Sequence, residues 1–296
     1  MRPREGCHLL AKRWGLALGA GGLYGLAYVG VFKALADAGL RPDLVSGTSA
    51  GAIAAGLYAA GVALDDIERE LRRMAVPSRW VVKGIPAIAR GLSTRAGMVD
   101  GDLIERELDR LLGGRSLSDV DPPVVIEAVD IETGDLVIMS ALTNRGVLPL
   151  ARTSWLTDVR LSEAIRASIS IPGVFVPKRL DGRKLVDGAV RDMVPTAVLR
   201  ALGAEFVVAV DLLSGQEEPV KVHNVVEVIA RAIGLLEREA IRERLASLAD
   251  VVIAPALPPP SAAMAKNIER YSCAGEQETR RYIPHILRLL AGRAAI

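Results

Sequence analysis

Apolar residues first gather in a short run, Trp14-Gly15-Leu16-Ala17-Leu18, too short for a helix and leading into glycine-rich chain, so it reads as a buried strand entering a loop. Leu26, Val29, Val31, Phe32, Leu35 and Ala36 then recur at roughly helical spacing until Gly39. A second short strand from Asp43 to Ser46 meets an Ala-rich helix, Ala50 to Ala60, closed by Gly61. This alternation of strand, loop and helix predicts an α/β fold in which helices cover a parallel sheet.

The pattern continues through amphipathic helices at Leu64 to Met74, ended by Pro77, and at Asp100 to Leu112, capped by Asp100 and finished by Gly113-Gly114. Between them, Ser78 to Gly97 mixes apolar residues with Lys83, Arg90 and Arg95, a composition open to a packed loop or to a lid or membrane-facing lip. Strands at Pro123 to Val129 and Asp135 to Met139 flank the turn Asp130-Ile131-Glu132-Thr133-Gly134 as a hairpin. A helix from Leu161 to Ala167 leads to Pro172-Gly173. A turn at Asp181-Gly182 then precedes the strand Lys184-Leu185-Val186.

Pro195 opens another helix, and Phe206 to Val210 forms an apolar strand ending at Asp211. A long helix, Val225 to Ala249, has Val228 and Ile241 on its apolar stripe and leads to a strand from Asp250 to Ala254. After Pro258-Pro259-Pro260 comes a helix from about Gly275 to Leu290, containing Pro284. With no repeat and no linker-like composition break, one domain over residues 1–296 is expected, with a core at about 14–254 and a helical extension at about 261–296.

Composition narrows the function classes. Half of the 296 residues are hydrophobic, enough for a large core, while a net charge of +2 and 4% aromatics leave no basic or stacking footprint for nucleic acid. Cys7 and Cys273 lack metal-ligand spacing, so neither a zinc site nor a disulfide framework is expected. The basic start and the glycine-diluted run from Trp14 do not fit a secretory signal, and no run reaches the roughly 20 apolar residues of a membrane span. A cytoplasmic protein, peripheral to a membrane at most, is the expectation.

Three stretches carry candidate chemistry. Gly47-Thr48-Ser49-Ala50-Gly51 is a G-x-S-x-G turn between a strand and a helix, which pushes a serine oxygen out over the sheet at a helix N-terminus. Gly19-Ala20-Gly21-Gly22-Leu23-Tyr24-Gly25 presents backbone N–H groups with little side-chain cover, suited to an oxyanion or a phosphate. Its third glycine falls one residue late for a dinucleotide fingerprint. The base for Ser49 is open between histidine and carboxylate. Of His8, His223 and His285 none sits in a Gly-flanked loop after a strand, with His223 best placed for a triad. Asp187 ends a strand and is followed by Gly188-Ala189. Asp181, Asp192 and Asp211 are expected as turn, helix-start and strand-end residues.

Together the glycine loop, the elbow and Asp187-Gly188-Ala189, with Ala167-Ser168-Ile169-Ser170-Ile171-Pro172-Gly173-Val174-Phe175 between them, resemble the bacterial patatin-like phospholipases from about Trp14 to Ala254. The resemblance implies a three-layer α/β/α fold with a central, mostly parallel sheet. It also implies a lipid acyl hydrolase that uses a Ser-Asp dyad and no cofactor or metal. Ser49 would be the nucleophile, Asp187 the base, and the backbone at Gly21, Gly22 and Leu23 the oxyanion hole, with Gly19, Gly25, Gly47, Gly51 and Gly188 supporting these motifs. A lipid or phospholipid ester is the implied substrate. Tyr24 stands where the family usually carries Arg or Lys. That departure leaves a second reading, a catalytically weak or regulatory protein that binds lipid or a protein partner.

Overall fold

The computed structural model describes residues 13–74, 101–143, 152–215, 222, 225–258 and 268–291. Alternation along its central strand explains the layering. In β3 (Val124–Asp130), Val124, Ile126 and Ala128 pack into one apolar cluster, whereas Val125 and Val129 pack into another. Successive residues of a strand point to opposite faces, so a strand apolar on both faces must be covered twice. One cover consists of α1 (Ala27–Asp37), α2 (Ala50–Ala59), α3 (Leu64–Met74), α4 (Asp102–Leu112), α5 (Leu161–Ser168) and α8 (Ile268–Ala291), which contribute to the first cluster. The other is α6 (Thr196–Ala201) and α7 (Val225–Leu248). The result is a three-layer α/β/α architecture.

The sheet runs β5 (Thr153–Leu156), β4 (Leu136–Met139), β3, β2 (Leu44–Gly47), β1 (Trp14–Leu18), β8 (Phe206–Val210), β9 (Val251–Ile253). Neighbours are parallel except β3 and β4, which form the expected hairpin. A second hairpin, β6 (Lys178–Leu180) and β7 (Arg183–Asp187), joins through β7, which pairs antiparallel with the C-terminal half of β3. The same edge of β3 is occupied by β2 over its N-terminal half, with Gly47 opposite Ile126 and Asp187 opposite Ala128. Two strands of opposite direction therefore end facing each other along one neighbour.

Several expectations change. Helix α4 has Gly101 as N-cap and no side-chain cap bond, and residue 100 lies outside the described residues. Gly101 suits that position because a Cβ there would lie 1.9 Å from Arg166 Nε. Strand β5 was not anticipated; its short Thr-Ser-Trp-Leu run carries little periodicity and, among the described residues, pairs only with β4. Val228, expected on the apolar stripe of α7, is exposed. Helix α8 begins at Ile268, earlier than its apolar pattern suggested, and contains Pro284. It crosses α1 closely, since a Cβ on Gly30 would lie 1.8 Å from Ser272 O. The stretch 78–97, expected as a loop or lid, lies outside the described residues, as do His8, His223 and Cys7.

Candidate active site

The elbow forms where β2 ends and α2 begins. Ser49 is the N-cap of α2 with φ 56° and ψ −120°, a left-handed backbone that costs a non-glycine residue of order 1–3 kcal/mol. Its surroundings impose that conformation. A Cβ on Gly47 would lie 2.3 Å from Gly51 O, and one on Gly51 would lie 2.0 Å from Leu18 O, so the chain turns this tightly only with glycine on both sides. The Ser49 N–H is satisfied by Ser168 Oγ at 2.9 Å, across 119 residues of sequence. Ser49 O in turn accepts the N–H groups of Ala52 and Ile53 as the helix starts.

Asp187 is the last residue of β7. The Ser49 hydroxyl donates to Asp187 Oδ2 at 2.7 Å, an ordinary length for an O–H···O bond, and Ala189 N–H donates to Oδ1 at 2.9 Å. Each carboxylate oxygen thus has a donor that fixes its orientation. The Asp187 N–H donates to Ser170 O at 3.0 Å, so the end of α5 and the turn after it hold both partners, one through Ser168 and the other through Ser170. Arg166 braces that turn by donating to Ser170 Oγ at 2.5 Å and to Val176 O at 2.9 Å, with its guanidinium 5.5 Å from the Phe175 ring centroid. Ser49 and Asp187 are 6% and 3% exposed, so their bond is shielded from solvent.

The glycine loop follows β1 and tightens into a short 3-10 turn, Gly22–Leu26. Its first part is pinned from three sides: Gly19 N–H to Val210 O at 3.1 Å, Ala20 N–H to Met193 O at 2.7 Å, and the Tyr28 hydroxyl to Gly19 O. Burial, aided by the charge of Asp211, pushes the Tyr28 phenol well above its usual range, so it remains a donor. The N–H groups that begin a helical turn have no partner inside it, and here they belong to Gly22 and Leu23 beside the elbow. Gly25 packs on the elbow, because a Cβ there would lie 3.0 Å from Ala50 Cβ. Tyr24 is half-buried, with its ring centroid 6.1 Å from that of Tyr271 on α8.

Of the sequence candidates, Ser49, Asp187 and the glycine loop come together, and His285 lies exposed on α8. Asp181 occupies the β6–β7 turn with φ 49°, and Asp211 caps the end of β8 through Leu213 N–H at 2.9 Å, both as expected. Asp192 does not start a helix. It is buried, and its Oδ1 lies 3.3 Å from Arg244 Nη1 of α7. Beside it is Glu127 of β3, fully buried, which the sequence reading passed over. Desolvation first, and then the charge of Asp192, drive the Glu127 carboxyl well above its ordinary range; burial pushes Asp192 up to about 6 against the pull of Arg244. A lone acid inside the apolar run Val124-Val125-Ile126-Glu127-Ala128-Val129 was the available signal. Ser168 and Ser170 lie in the Ala167-to-Phe175 stretch, where nothing local tells which atoms they serve.

A strand-to-helix serine elbow bonded to a carboxylate on a three-layer α/β/α sheet defines the class of protein. The model of the patatin-like phospholipase family matches residues 16–200, and the chain belongs to that family. Among its relatives, an uncharacterised NTE family protein of Mycobacterium tuberculosis is 30% identical over 212 residues, covering 71% of this chain and 52% of that protein. Patatin-like phospholipase domain-containing protein 7 of Rattus norvegicus is 28% identical over 204 residues, covering 68% of this chain and 14% of the relative. The chain thus spans about half the length of the mycobacterial relative, or less in the rat protein. The crystal structure of VipD from Legionella pneumophila shares the fold with a TM-score of 0.52 at 15% identity, covering 93% of this chain and 67% of that one. Among the described residues no cluster of three or more His, Cys, Asp or Glu is arranged to hold a metal, and no helix is long and apolar enough to cross a membrane.

Proposed function

We propose that the chain is a serine acyl-ester hydrolase of lipids, of phospholipase A type, working through Ser49 and Asp187. The observation that carries this reading is the 2.7 Å bond from Ser49 Oγ to Asp187 Oδ2 at a strained elbow. Ser49 Oγ attacks the ester carbonyl carbon while its proton passes to Asp187 Oδ2, and the carbonyl electrons move onto oxygen. The N–H groups of Gly21, Gly22 and Leu23 receive that oxyanion; one such donor is worth roughly 10²–10³ in rate. The tetrahedral species collapses, the C–O bond to the alcohol breaks, and Asp187 returns the proton to the leaving oxygen. Water then attacks the acyl-Ser49 carbonyl carbon and gives a proton to Asp187; the bond from that carbon to Ser49 Oγ breaks, the fatty acid leaves, and Asp187 returns the proton to Ser49 Oγ.

Two features favour a lipid substrate. Family membership is one. The other is that Leu23 of the glycine loop, Ile171 of the turn after α5 and Val190 just beyond Asp187 are exposed large apolar residues. Such a rim suits peripheral contact with a lipid surface, the ester entering from the aggregate rather than from water. Tyr24 supports the loop by packing on Tyr271, replacing the charge usual in the family with an aromatic contact.

Labelling with a fluorophosphonate followed by peptide mapping tests the reading. Modification at Ser49, lost in Ser49→Ala, is expected. An unlabelled protein that still binds phospholipid vesicles would replace the enzyme by the lipid-binding, regulatory alternative.

A further inference from the structure

Behind the candidate site, on the α6–α7 side of the sheet, sit two carboxyls with no part in the chemistry above. Glu127 projects from β3 on the same face as Val125 and Val129, and is fully buried; among the described residues neither of its oxygens has a hydrogen-bond partner. Asp192 is 2% exposed; its Oδ1 lies 3.3 Å from Arg244 Nη1, and its Oδ2 likewise finds no partner among the described residues. Among the described residues, the charged groups that face Glu127 are Asp192 and Arg191 from the loop after β7, and Arg244 from α7.

These groups connect to the base through a short backbone path. Arg244 Nη1 donates to Arg191 O at 3.0 Å while facing Asp192, so a single guanidinium clamps two consecutive residues. The N–H groups of Arg191 and Asp192 both donate to Gly188 O, at 3.0 and 2.9 Å. Gly188 follows Asp187 directly and is packed closely: a Cβ there would lie 2.5 Å from Glu127 O and 3.1 Å from Thr48 Cγ2. Displacement of the Arg191–Asp192 pair would therefore pass through Gly188 to the carboxylate bonded to Ser49.

We propose that Glu127, Asp192 and Arg244 form a positioning cluster in which Glu127 holds a proton beside the Asp192–Arg244 ion pair, fixing Asp187 from the back of the sheet. The inference rests on the dyad reading above. The proton resides on Glu127 because Asp192 has Arg244 and the Val194 N–H to stabilise its charge, whereas Glu127 has an apolar face and a like-charged neighbour. A neutral Glu127 tolerates its burial. A second carboxylate there would repel Asp192 and load the 187–192 segment. Loss of this proton at alkaline pH then lowers turnover while the outward-facing lipid rim is untouched.

Infrared difference spectra, ester kinetics and fluorophosphonate labelling of the whole chain, native and variant, test this. The native protein at pH 7 is expected to show a protonated-carboxyl C=O band that Glu127→Gln removes, and Glu127→Gln should lose the alkaline fall in kcat. Asp192→Asn should lower kcat about tenfold or more with KM within about twofold, and Arg244→Lys should retain more kcat than Arg244→Met. If Glu127→Gln does not fold, the native band must instead disappear across the same alkaline range as kcat. No such band, native kcat in Asp192→Asn, equal losses in the two Arg244 variants, or KM changing in step with kcat would overturn the proposal. Absence of Ser49 labelling in the native protein would overturn the dyad itself, a separate outcome that leaves the infrared result readable.

Discussion

Asp187 and Glu127 are both buried carboxyls beside the central strand, yet they sit in opposite electrostatic situations. Asp187 has a donor on each oxygen, Ser49 Oγ and Ala189 N–H. Glu127 has no hydrogen-bond donor among the described residues and an acidic neighbour. They are separated by the thickness of one strand, for Ala128, the partner of Asp187 in the sheet, follows Glu127 in sequence. The lesson is that depth alone does not define a buried acid's role. The donors within reach decide whether it serves as a carboxylate or must keep its proton.

The largest effects should come from the front of the sheet. Ser49→Ala and Asp187→Asn are each expected to lower hydrolysis of a short p-nitrophenyl ester by roughly a thousandfold or more, measured as kcat, with the fold intact by circular dichroism. An active Asp187→Asn protein would move the base role elsewhere and end the contrast between the two acids. Next in size, Ser168→Ala leaves the buried Ser49 N–H without its acceptor, at about 1–3 kcal/mol of stability, and should cut kcat about tenfold. Thermal melts and kinetics on one preparation would separate the two consequences. Val190→Ser should lower activity on phospholipid vesicles about threefold while leaving a monomeric ester unaffected, as expected for a rim residue outside the chemistry.

The back of the sheet should register in stability as well as in kcat. The folded-state pKa values of Glu127 and Asp192 both lie above their unfolded values, so the native state binds more protons than the unfolded chain between those limits. Their stabilising contribution is therefore complete below about pH 4 and is lost as pH rises, through about 6 for Asp192. Melting curves of the native protein should lose a few degrees, roughly, relative to Asp192→Asn over that window, once other carboxylates are matched. The smallest effect belongs to the histidines. His223→Ala and His285→Ala should leave kcat within about twofold, and a large loss in His223→Ala would favour a triad over the dyad.

Much of the fold could be read from periodicity. Strands β1, β2, β3 and β8 are short apolar runs bounded by Gly, Pro or Asp, and helices α1 to α5 have a stop signal or an amphipathic stripe within a residue or two of their ends. Strand β5 was illegible because its side chains are only half-buried and its pairing with β4 supplies what the local pattern lacks. Asp192 was misjudged for a related reason. A carboxylate four residues before a helix looks like a start signal, and only Arg244, 52 positions later on α7, shows that it is buried and paired.

Sequence by itself determined the parts that depend on local sterics: an elbow that only glycines at 47 and 51 permit, a loop with bare N–H groups, and an aspartate presented at the end of an apolar strand. It also left the chain with no well-placed histidine. What the tertiary structure alone decided is that Ser49 and Asp187 meet. They are 138 residues apart, and they come into contact because β2 and β7 approach from opposite directions along the same edge of β3, stopping at Ile126 and Ala128. Register between strands is set by the packing of both faces of the sheet at once, a sum over distant residues that no local window contains.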